Sequence, residues 1–433
     1  MAAPDQLLPR LLTGATNGRV GLPEHTQIHG RLPAITRPQG GNPGPMTDEV
    51  ERSGLRGRGG AGFPTAVKMH AAFTAPGQQR TVVVNGLEGE PASAKDRTLL
   101  ASLPHLVLDG AAAAAHAIGA REVIICSQDH AFDAIDSLEL ALAERAGPHS
   151  ADPHIELVLV RGAFIAGQES ALVAHLNGAA AQPTRTPPMV FERGVGGAPT
   201  FLSNAETFAH LALIARHGAN WFRELGTPQH PGSALVTLSG AVAEPGVYEI
   251  EHGVGISSLI EAAGGTLEPV RAILIGGYAG IWIDGSRLSE ITLDDGWLVP
   301  QGGSIGAGVV IVLGESACPV AETVRLTTWL AQQTAGQCGP CVHGLAAIAQ
   351  RLQELAAGRG FDGQREISRL AGVIRGRGAC RHPDGALRLL ASALTVFARE
   401  FDDHARHGPC DACDASAVLP TTPRSPNQHA VAA

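Results

Sequence analysis

Apolar β-runs alternate with helical segments between residues 81 and 162 of this 433-residue chain. The runs TVVVN, EVIICS and IELVLVRG are rich in β-branched residues, and residues 103–120 and AFDAIDSLELALAERAG between them have helical character. Nearly continuous apolar strands separated by helices are typical of a parallel sheet buried on both faces. The pattern therefore predicts an α/β domain, with its ligand-binding edge where the strands end.

A glycine-rich loop, GLRGRGGAGFPTAVK, occupies residues 54–68. Closely spaced glycines let several backbone N–H groups turn inward and form a concave anion site. Positive side chains surround it, and Pro64-Thr65 is typical of a helix start, where the dipole favours a phosphate. The loop therefore predicts a phosphate-binding site, the alternative being a flexible surface loop; its glycines and cations are Gly57, Gly59, Gly60, Gly62, Arg56, Arg58 and Lys68.

The spacing from Gly57 to Gly62 satisfies G-x-G-x-x-G, but the usual dinucleotide fingerprint follows a buried strand. Here the charged segment TDEVERSGLR precedes it and predicts a short helix, with Thr47 as a plausible cap. The loop is therefore expected to bind a phosphorylated ligand in another way.

Three further motifs carry polar side chains at predicted strand ends or helix starts. NGLEGEPASAKDR begins at Asn85, and its Glu88 and Glu90 can accept hydroxyl donors; a solvated acidic turn is the alternative. GAFIAGQES opens a helix with Gln168-Glu169, where a first-turn carboxylate is favourable in itself. In APTFLSNAETFAHL, Ser203 or Asn204 can cap a helix, and capping alone would explain that motif.

Six of the seven cysteines lie after residue 317, which indicates metal chemistry rather than a disulfide framework. Cys338 and Cys341 form C-x-x-C, and Cys380 follows at a distance, a pattern typical of iron–sulfur or zinc ligation. A buried reduced pair is the alternative. His404, His407, Cys410 and Cys413 also have zinc-like spacing, but a tail with chance residues is the favoured interpretation.

Length and composition limit the class of protein. The chain should form two to four domains, and its net charge of −9 without a basic block argues against nucleic acid as partner. Without a long apolar run or a basic leader, we expect a cytoplasmic protein with no transmembrane segment. The predicted divisions are an irregular segment 1–47, an α/β domain 48–230, a β-grasp-like domain 231–315, a helical domain 316–407 and a disordered tail 408–433.

The motifs GLRGRGGAGFPTAVK, NGLEGEPASAKDR, GAFIAGQES, SNAET and AGQCGPC occur in the order seen in the flavin-binding F subunit of complex I. Between residues 48 and 405 the chain resembles that family, whose relatives include diaphorase subunits of NAD-reducing hydrogenases and formate dehydrogenases. The resemblance implies a Rossmann-like FMN domain, an SLBB β-grasp domain and a helical iron–sulfur domain. It also implies NADH oxidation through FMN, with single electrons then passing to a 4Fe-4S cluster.

The resemblance carries site residues over position by position. It implies that the glycine loop holds the FMN phosphate and part of the nucleotide, that Phe63 lies near the adenine, and that Gly167 and Glu169 lie over the nicotinamide. Asn85 and Glu88 match residues near the ribityl chain and ring. The turn that closes the FMN pocket corresponds to Ser203 and Asn204, and the matching loop residues are Gly57, Arg58, Gly59, Gly60 and Lys68.

The chain departs from the family pattern at four positions. Leu87 stands where Asp is usual, Phe164 where Tyr is usual, and Gln168 where Glu is usual, which leaves NADPH open beside NADH. Ala335 replaces the first cluster cysteine. Three matching ligands remain, Cys338, Cys341 and Cys380, and Cys318 is the candidate for the fourth; a three-iron cluster, a non-protein ligand or no cluster are the alternatives.

The sequence therefore predicts an NAD(P)H-oxidising flavoprotein subunit that passes electrons to a partner. A ferredoxin-like or 2Fe-2S subunit, or a membrane-associated reductase, is the expected acceptor. The alternative is a degenerate subunit that keeps the fold as a scaffold without turnover.

Overall fold

The computed structural model describes residues 8–15, 18–38, 43–77, 79–147, 151–161, 164–359, 363–422 and 430–432. Residues 162–163, which the sequence assigns to a strand end and to the GAFIAGQES motif, lie outside the described residues. Among the described residues, no single helix is long and apolar enough to cross a membrane. Only a pair of helices bent by 96°, Lys95–Ser102 and Pro104–Ile118, meets the length and composition together.

Three helices precede the first strand: α1 Leu22–His29, α2 Pro45–Ser53 and α3 Thr65–Thr74. The first lies in the segment predicted to be irregular. The short helix expected before the glycine loop is present, but it begins at Pro45 after the extended Gly44, so Thr47 lies inside it and does not cap it. Proline suits that first position because its missing N–H would have no partner in the helix.

Four parallel strands in the order β3-β2-β1-β4 form the first sheet. Its central strand β1 is buried along its apolar run and pairs with β2 and β4. This agrees with the predicted parallel α/β domain. The strands are β1 Thr81–Gly86, β2 Glu122–Gln128, β3 His154–Val160 and β4 Thr200–Asn204; the associated helices are α4 Lys95–Ser102, α5 Pro104–Ile118, α6 Phe132–Arg145, α7 Glu169–Leu176 and α8 Ala205–Phe222.

Helices α5 and α8 approach each other with almost no side chain between them at one point. A Cβ atom at Gly110 of α5 would lie 1.7 Å from the carbonyl oxygen of Phe208 in α8. Alanines at positions 111–115 and 117 follow Gly110 in α5, and all of them are buried. The small residues that dominate this segment therefore set the depth at which α8 lies beneath the sheet.

The second sheet has the strand order β10-β6-β5-β9-β7-β8. Its apolar faces enclose a separate core that includes Val236, Ile273 and Val310. The strands around a short helix match the predicted β-grasp pattern. The elements are β5 Ser233–Gly240, β6 Gly246–Glu251, α9 Ile256–Ala262, β7 Val270–Ile275, β8 Ile281–Asp284, α10 Asp295–Leu298, β9 Val309–Gly314 and β10 Ala430–Ala432.

A helical unit follows β9, as predicted. Leu345, Ile348, Leu352 and Leu355 are buried on one face, and Leu387, Leu390 and Phe397 on another. Because these residues repeat every three or four positions, each helix presents one apolar stripe to the common core. The elements are α11 Pro319–Gln332, a π-helical turn Pro340–Leu345, α12 Ala346–Ala356, α13 Gly363–Ile374, α14 His382–Val396 and α15 Ala398–His407.

The segment after α15 is packed, which corrects the prediction of a disordered tail for residues 408–422. Backbone N–H groups of Val418 and Leu419 donate to the carboxylate of Glu322 in α11, at 2.9 and 3.0 Å. Leu419 is 1% exposed. The buried carboxylate of Glu322 requires hydrogen-bond donors, and Leu419 buries an apolar side chain. Together they fix the segment after α15, although its composition alone indicates disorder.

Candidate functional site

A large cleft opens at the carboxyl edge of the parallel sheet, as two adjoining cavities of about 580 and 680 Å³. This is the size range of cofactor sites. Each of the three units contributes to its lining. Residues shared by both cavities include Gly59, Asn85, Gly167, Asn204 and Cys380.

The glycine loop forms one wall of the cleft. It is closed by the Gly57 N–H donating to the carbonyl of Phe63 at 2.8 Å and by Arg56 Nε donating to the carbonyl of Gly62 at 2.7 Å. Gly60 has φ +102°, which side chains rarely adopt, and a Cβ at Gly59 would lie 3.4 Å from Cβ of Asn204. The loop thus exposes backbone rather than side chains to the cleft.

Arg58 lies under the loop instead of extending into open space. Its guanidinium donates to the carbonyl of Ser233 at 2.9 Å, and its backbone N–H donates to the hydroxyl of Thr207 at 2.9 Å. Nε is 3.8 Å from the carboxylate of Glu206. Burial lowers the pKa of Arg58, but a guanidinium keeps its charge at neutral pH.

A second buried cation, Lys95, lies beside it. Its Nζ atom contacts Asp96 and Glu206, each at 2.9 Å, and Oδ1 of Asn204 at 3.1 Å. Burial opposes the charged lysine, but these carboxylates outweigh that effect and raise its pKa; the same charge, against the cost of burial, lowers the pKa of Glu206. The floor of the cleft therefore carries two fixed cations, Arg58 and Lys95, and Glu206 contacts both of them.

Asparagines stand at the ends of two neighbouring strands. Asn85 is the next-to-last residue of β1 and Asn204 is the last residue of β4, and they are directly paired in the sheet. Asn85 donates to the carbonyl of Gly167 at 2.8 Å and accepts from the N–H of Leu87 at 3.2 Å, while Asn204 caps α8. The buried Ser203 lies beside it in β4. These side chains join the predicted motifs into one site.

The second cavity has an ion pair at its wall. Lys68 Nζ lies 3.0 Å from Glu169 at the start of α7, and 3.3 Å from the carbonyl of Leu202. Phe63 is 41% exposed and lines the same cavity. Lys68 and Phe63 thus lie where a ligand entering this side of the cleft would meet them.

The two glutamates of the second motif differ in role. Glu88 accepts from Ser93 and from the N–H groups of Asp96 and Arg97 at the start of α4, so it serves as a helix cap as well as a lining residue. Glu90 accepts the N–H of Tyr278 at 3.0 Å, and burial raises its pKa to about 8. Burial therefore favours the neutral, protonated form of Glu90.

Three of the four departures from the family pattern have a local structural role. Leu87 belongs to an apolar cluster with Val83 and Leu202. Phe164 packs edge-on against Trp329, with ring centres 5.2 Å apart. The amide oxygen of Gln168 accepts the N–H of Ala171 at 2.9 Å and caps α7.

Three cysteines meet at the far side of the cleft. Burial raises the pKa of Cys341 to about 12, with Cys338 and Cys380 as its thiol neighbours and the hydroxyl of Thr334 as a hydrogen-bond partner. Cys380 also lines both cavities. The loop before these cysteines is tied to the α/β domain, since the Ala335 carbonyl accepts from Gln182 at 2.8 Å and Gln337 donates to the carbonyl of Pro183 at 3.2 Å.

Cys318, expected as the fourth ligand of this group, lies with other partners. Its sulfur is 3.5 Å from His404 Nε2 and 3.5 Å from Cys413 Sγ. Because Cys318 begins α11 while Cys338 follows that helix, the intervening helix separates the two positions along the chain. The structure therefore assigns Cys318 to a second group of cysteines.

Sequence reasoning missed several residues that build the cleft. Lys95 and Glu206 lie within motifs that the sequence identified. The signal that could have indicated Lys95 is the adjacent carboxylate, Asp96. Tyr278 and Gly306 from the second sheet and Arg381 from the helical unit also line it. Only the fold brings these distant segments together, so no local pattern indicated them.

Comparison with known proteins bears directly on this cleft. Residues 50–213 match the Nuo51 FMN-binding domain, residues 235–277 match the SLBB domain, and residues 321–404 match the NADH-ubiquinone oxidoreductase-F iron-sulfur binding region. The NADH-quinone oxidoreductase F 2 subunit of Rhizobium meliloti (strain 1021) is 34% identical over 381 residues, covering 85% of this chain and 90% of that protein. The chain belongs to the family of NADH-quinone oxidoreductase F subunits.

Hydrogenase subunits are also similar to this chain. NADP-reducing hydrogenase subunit HndC of Solidesulfovibrio fructosivorans is 30% identical over 393 residues, covering 88% of this chain and 80% of that protein. A crystal structure of NAD+-reducing [NiFe]-hydrogenase in the H2-reduced state superposes with a TM-score of 0.78 at 30% identity. That match covers 84% of this chain, which spans 63% of the hydrogenase chain.

These matches confirm the predicted FMN domain, SLBB domain and iron–sulfur region in chain order. They also confirm the predicted cofactors, FMN, NAD(H) and a 4Fe-4S cluster, and the class of enzyme, an oxidoreductase. Both relatives are named as subunits of their enzymes.

Proposed function

We propose that this member of the F-subunit family oxidises NADH in the cleft and delivers the electrons, one at a time, to a partner through the cysteine group. The observation that carries the proposal is the position of Cys380, which lines the same two cavities as the glycine loop and Asn85. A hydride acceptor in the cleft would then lie next to a one-electron carrier.

The loop fits a flavin phosphate because backbone, not side chains, faces the cleft at Gly59 and Gly60. We assign phosphate and nucleotide binding to Gly57, Gly59, Gly60 and Lys68. Arg58 contributes through its charge, since its guanidinium is held by Ser233 and Glu206.

The remaining lining residues orient the two ligands. Asn85 and Glu88 would contact the ribityl chain and ring, and Ser203 and Asn204 would close that side of the cleft. On the nicotinamide side, Gly167 and Glu169 face the second cavity, with Phe63 near its rim.

Bound FMN would accept a hydride from the nicotinamide and release electrons singly, chemistry that belongs to the cofactor itself. The protein binds, orients and sets the charge around it. Burial favours the neutral form of Glu90, and the buried cations Arg58 and Lys95 contribute positive charge near the cleft, which Glu206 and Asp96 offset in part.

We propose that Cys338, Cys341 and Cys380 hold the iron–sulfur cluster. Cys338 and Cys380 both neighbour the Cys341 thiol, and three cysteines with a hydroxyl close by suit an iron–sulfur group that lacks its usual fourth thiolate. With Ala335 at the fourth position and Cys318 placed elsewhere, a non-cysteine fourth ligand follows. The acceptor beyond the cluster is a ferredoxin-like or 2Fe-2S subunit, or a membrane-associated reductase.

Anaerobic purification followed by titration with NADH tests the proposal. We expect flavin absorption bands that bleach on adding NADH, together with FMN and iron in the isolated protein. The alternative is a degenerate scaffold subunit, which Leu87, Gln168 and Ala335 favour; it predicts a colourless protein or flavin bands that NADH leaves unchanged. Parallel titration with NADPH reports whether Gln168 has relaxed the choice of nucleotide.

A further inference from the structure

Four potential metal ligands from two distant parts of the chain converge beside α11. They are Cys318 at the start of α11, His404 in α15, and Cys410 and Cys413 in the turn that follows. Their ligand atoms all lie within 4.8 Å of one another. Cys318 and His404 are each 4% exposed, so half of the group is buried.

The distances match the edges of a tetrahedron around one zinc ion. With Zn–S bonds of about 2.3 Å and a Zn–N bond of about 2.0 Å, tetrahedral angles place sulfurs about 3.8 Å apart and sulfur and nitrogen about 3.5 Å apart. The observed separations are 3.8 Å between Cys410 and Cys413, 3.5 Å between Cys413 and Cys318, and 3.5 Å between Cys318 and His404 Nε2. A fourth separation, from His404 Nε2 to Cys413 Sγ, is 4.0 Å, and the other two, from Cys410 to Cys318 and to His404, are within 4.8 Å.

The surroundings prepare these groups as ligands. Nδ1 of His404 lies 3.3 Å from the carbonyl of Ala356 and donates to it in the tautomer that leaves Nε2 free to bind a metal. Such a second bond to a carbonyl is usual for metal-binding histidines. The N–H of Ala321, in the first turn of α11, donates to the Cys318 sulfur at 3.3 Å and fixes its position.

We propose that Cys318, His404, Cys410 and Cys413 bind one structural Zn²⁺ ion. Three thiolates and one imidazole in a tetrahedron are the donor set and geometry that zinc prefers, and four protein ligands leave no open position for substrate. A disulfide is a poor alternative, since the observed sulfur separations far exceed the bond length of about 2.0 Å. The site is separate from the iron–sulfur group and does not depend on the proposed reaction.

The ion would fasten the segment after α15 to the helical unit. Beyond Cys413, this segment supplies the donors that Glu322 receives from Val418 and Leu419. Farther along, the Pro420 carbonyl accepts the hydroxyl of Tyr278, a residue that lines the cleft. Zinc binding thus supports one wall of the cofactor site from outside.

Metal counting on the purified full chain, together with two matched variants, tests the proposal. We expect about one zinc per chain in the parent protein, in addition to iron. Cys413→Ser should lose most of the zinc while keeping its FMN and iron. The control is His407→Gln, which removes the other histidine of the H-x-x-H spacing and should keep zinc, because that residue lies outside the group.

Two outcomes would overturn the proposal: zinc-free parent protein grown with zinc, or equal zinc loss in both variants. If Cys413→Ser fails to fold, exchange of the parent protein with Co²⁺ decides, since a tetrahedral sulfur-rich site gives intense visible ligand-field bands. Absence of those bands would argue against the site. Protease cleavage within residues 408–422 should accelerate when a chelator removes the ion, and an unchanged rate would refute the fastening role.

Discussion

Replacing Glu206 by glutamine should destabilise the α/β domain more than any surface change of equal size. The carboxylate is 1% exposed, contacts Lys95 Nζ at 2.9 Å and Arg58 Nε at 3.8 Å, and accepts the N–H of Leu235 at 2.9 Å. Glutamine keeps the shape and one acceptor oxygen, but removes the negative charge that faces both cations. Lys95 would retain only Asp96 as its partner carboxylate.

The magnitude follows from the cost of breaking a buried ion pair, about 3–5 kcal/mol. Because the amide still accepts one hydrogen bond and Asp96 remains, we expect the lower end, about 3 kcal/mol, or roughly 150-fold in the folding equilibrium. For a domain of this size, that corresponds to a fall of about 6–12 °C in Tm.

The assay is thermal unfolding of apoprotein followed by circular dichroism, with Glu261→Gln as the control at an exposed position. The pKa of Glu206 is lowered, so its stabilising charge is present above the unfolded pKa and is lost only in strong acid. The difference in Tm should therefore stay constant between pH 6 and 9. A fall in Tm no larger than that of the control would refute the reasoning.

Three further predictions concern single positions in or beside the cleft. Because burial raises the pKa of Glu90 to about 8, the stability of the protein should fall as pH rises from about 4.5 through 8. In Glu90→Gln, Tm should depend less on pH and should be higher than the Tm of the parent protein at pH 9. Parallel profiles of Tm against pH for the two proteins would contradict this. Ala335→Cys should supply a fourth thiolate and slow the loss of iron from the cluster in air, as measured by iron analysis and EPR over time, and loss as fast as in the parent protein would contradict this. Gln168→Glu should lower kcat/KM for NADPH about tenfold relative to NADH through repulsion of the 2′-phosphate, while preserving the cap on α7; an unchanged ratio would remove Gln168 as a determinant.

Much of the architecture followed from local pattern. Strands such as TVVVN are buried on both faces, so their apolar runs are unmistakable, and the heptad-like spacing of Leu345 and Leu352 marks a helix face. The glycine loop was identifiable because a loop that exposes its backbone to a ligand requires glycine. Asn85 was identifiable because it is a polar residue directly after an apolar strand run. These features depend on neighbours in sequence.

The parts that sequence did not reveal depend on long-range packing. Arg58 was expected to face a phosphate, yet Glu206 and Ser233 hold its guanidinium beneath the loop. Cys318 matched the iron–sulfur pattern by count, but the path of α11 and α15 places it with Cys413, far along the chain. No spacing rule connects such residues until the topology is known.

The contact at Gly110 links the position of α5 to the geometry of the cofactor site. Because the backbones of α5 and α8 are in contact at Gly110, any added side-chain atom must displace α8 from its observed position. The same helix begins at the cleft with Asn204 as its cap and Glu206 in its first turn. A methyl group at position 110 would therefore shift Asn204 and Glu206 relative to the flavin site, although position 110 itself contacts no ligand.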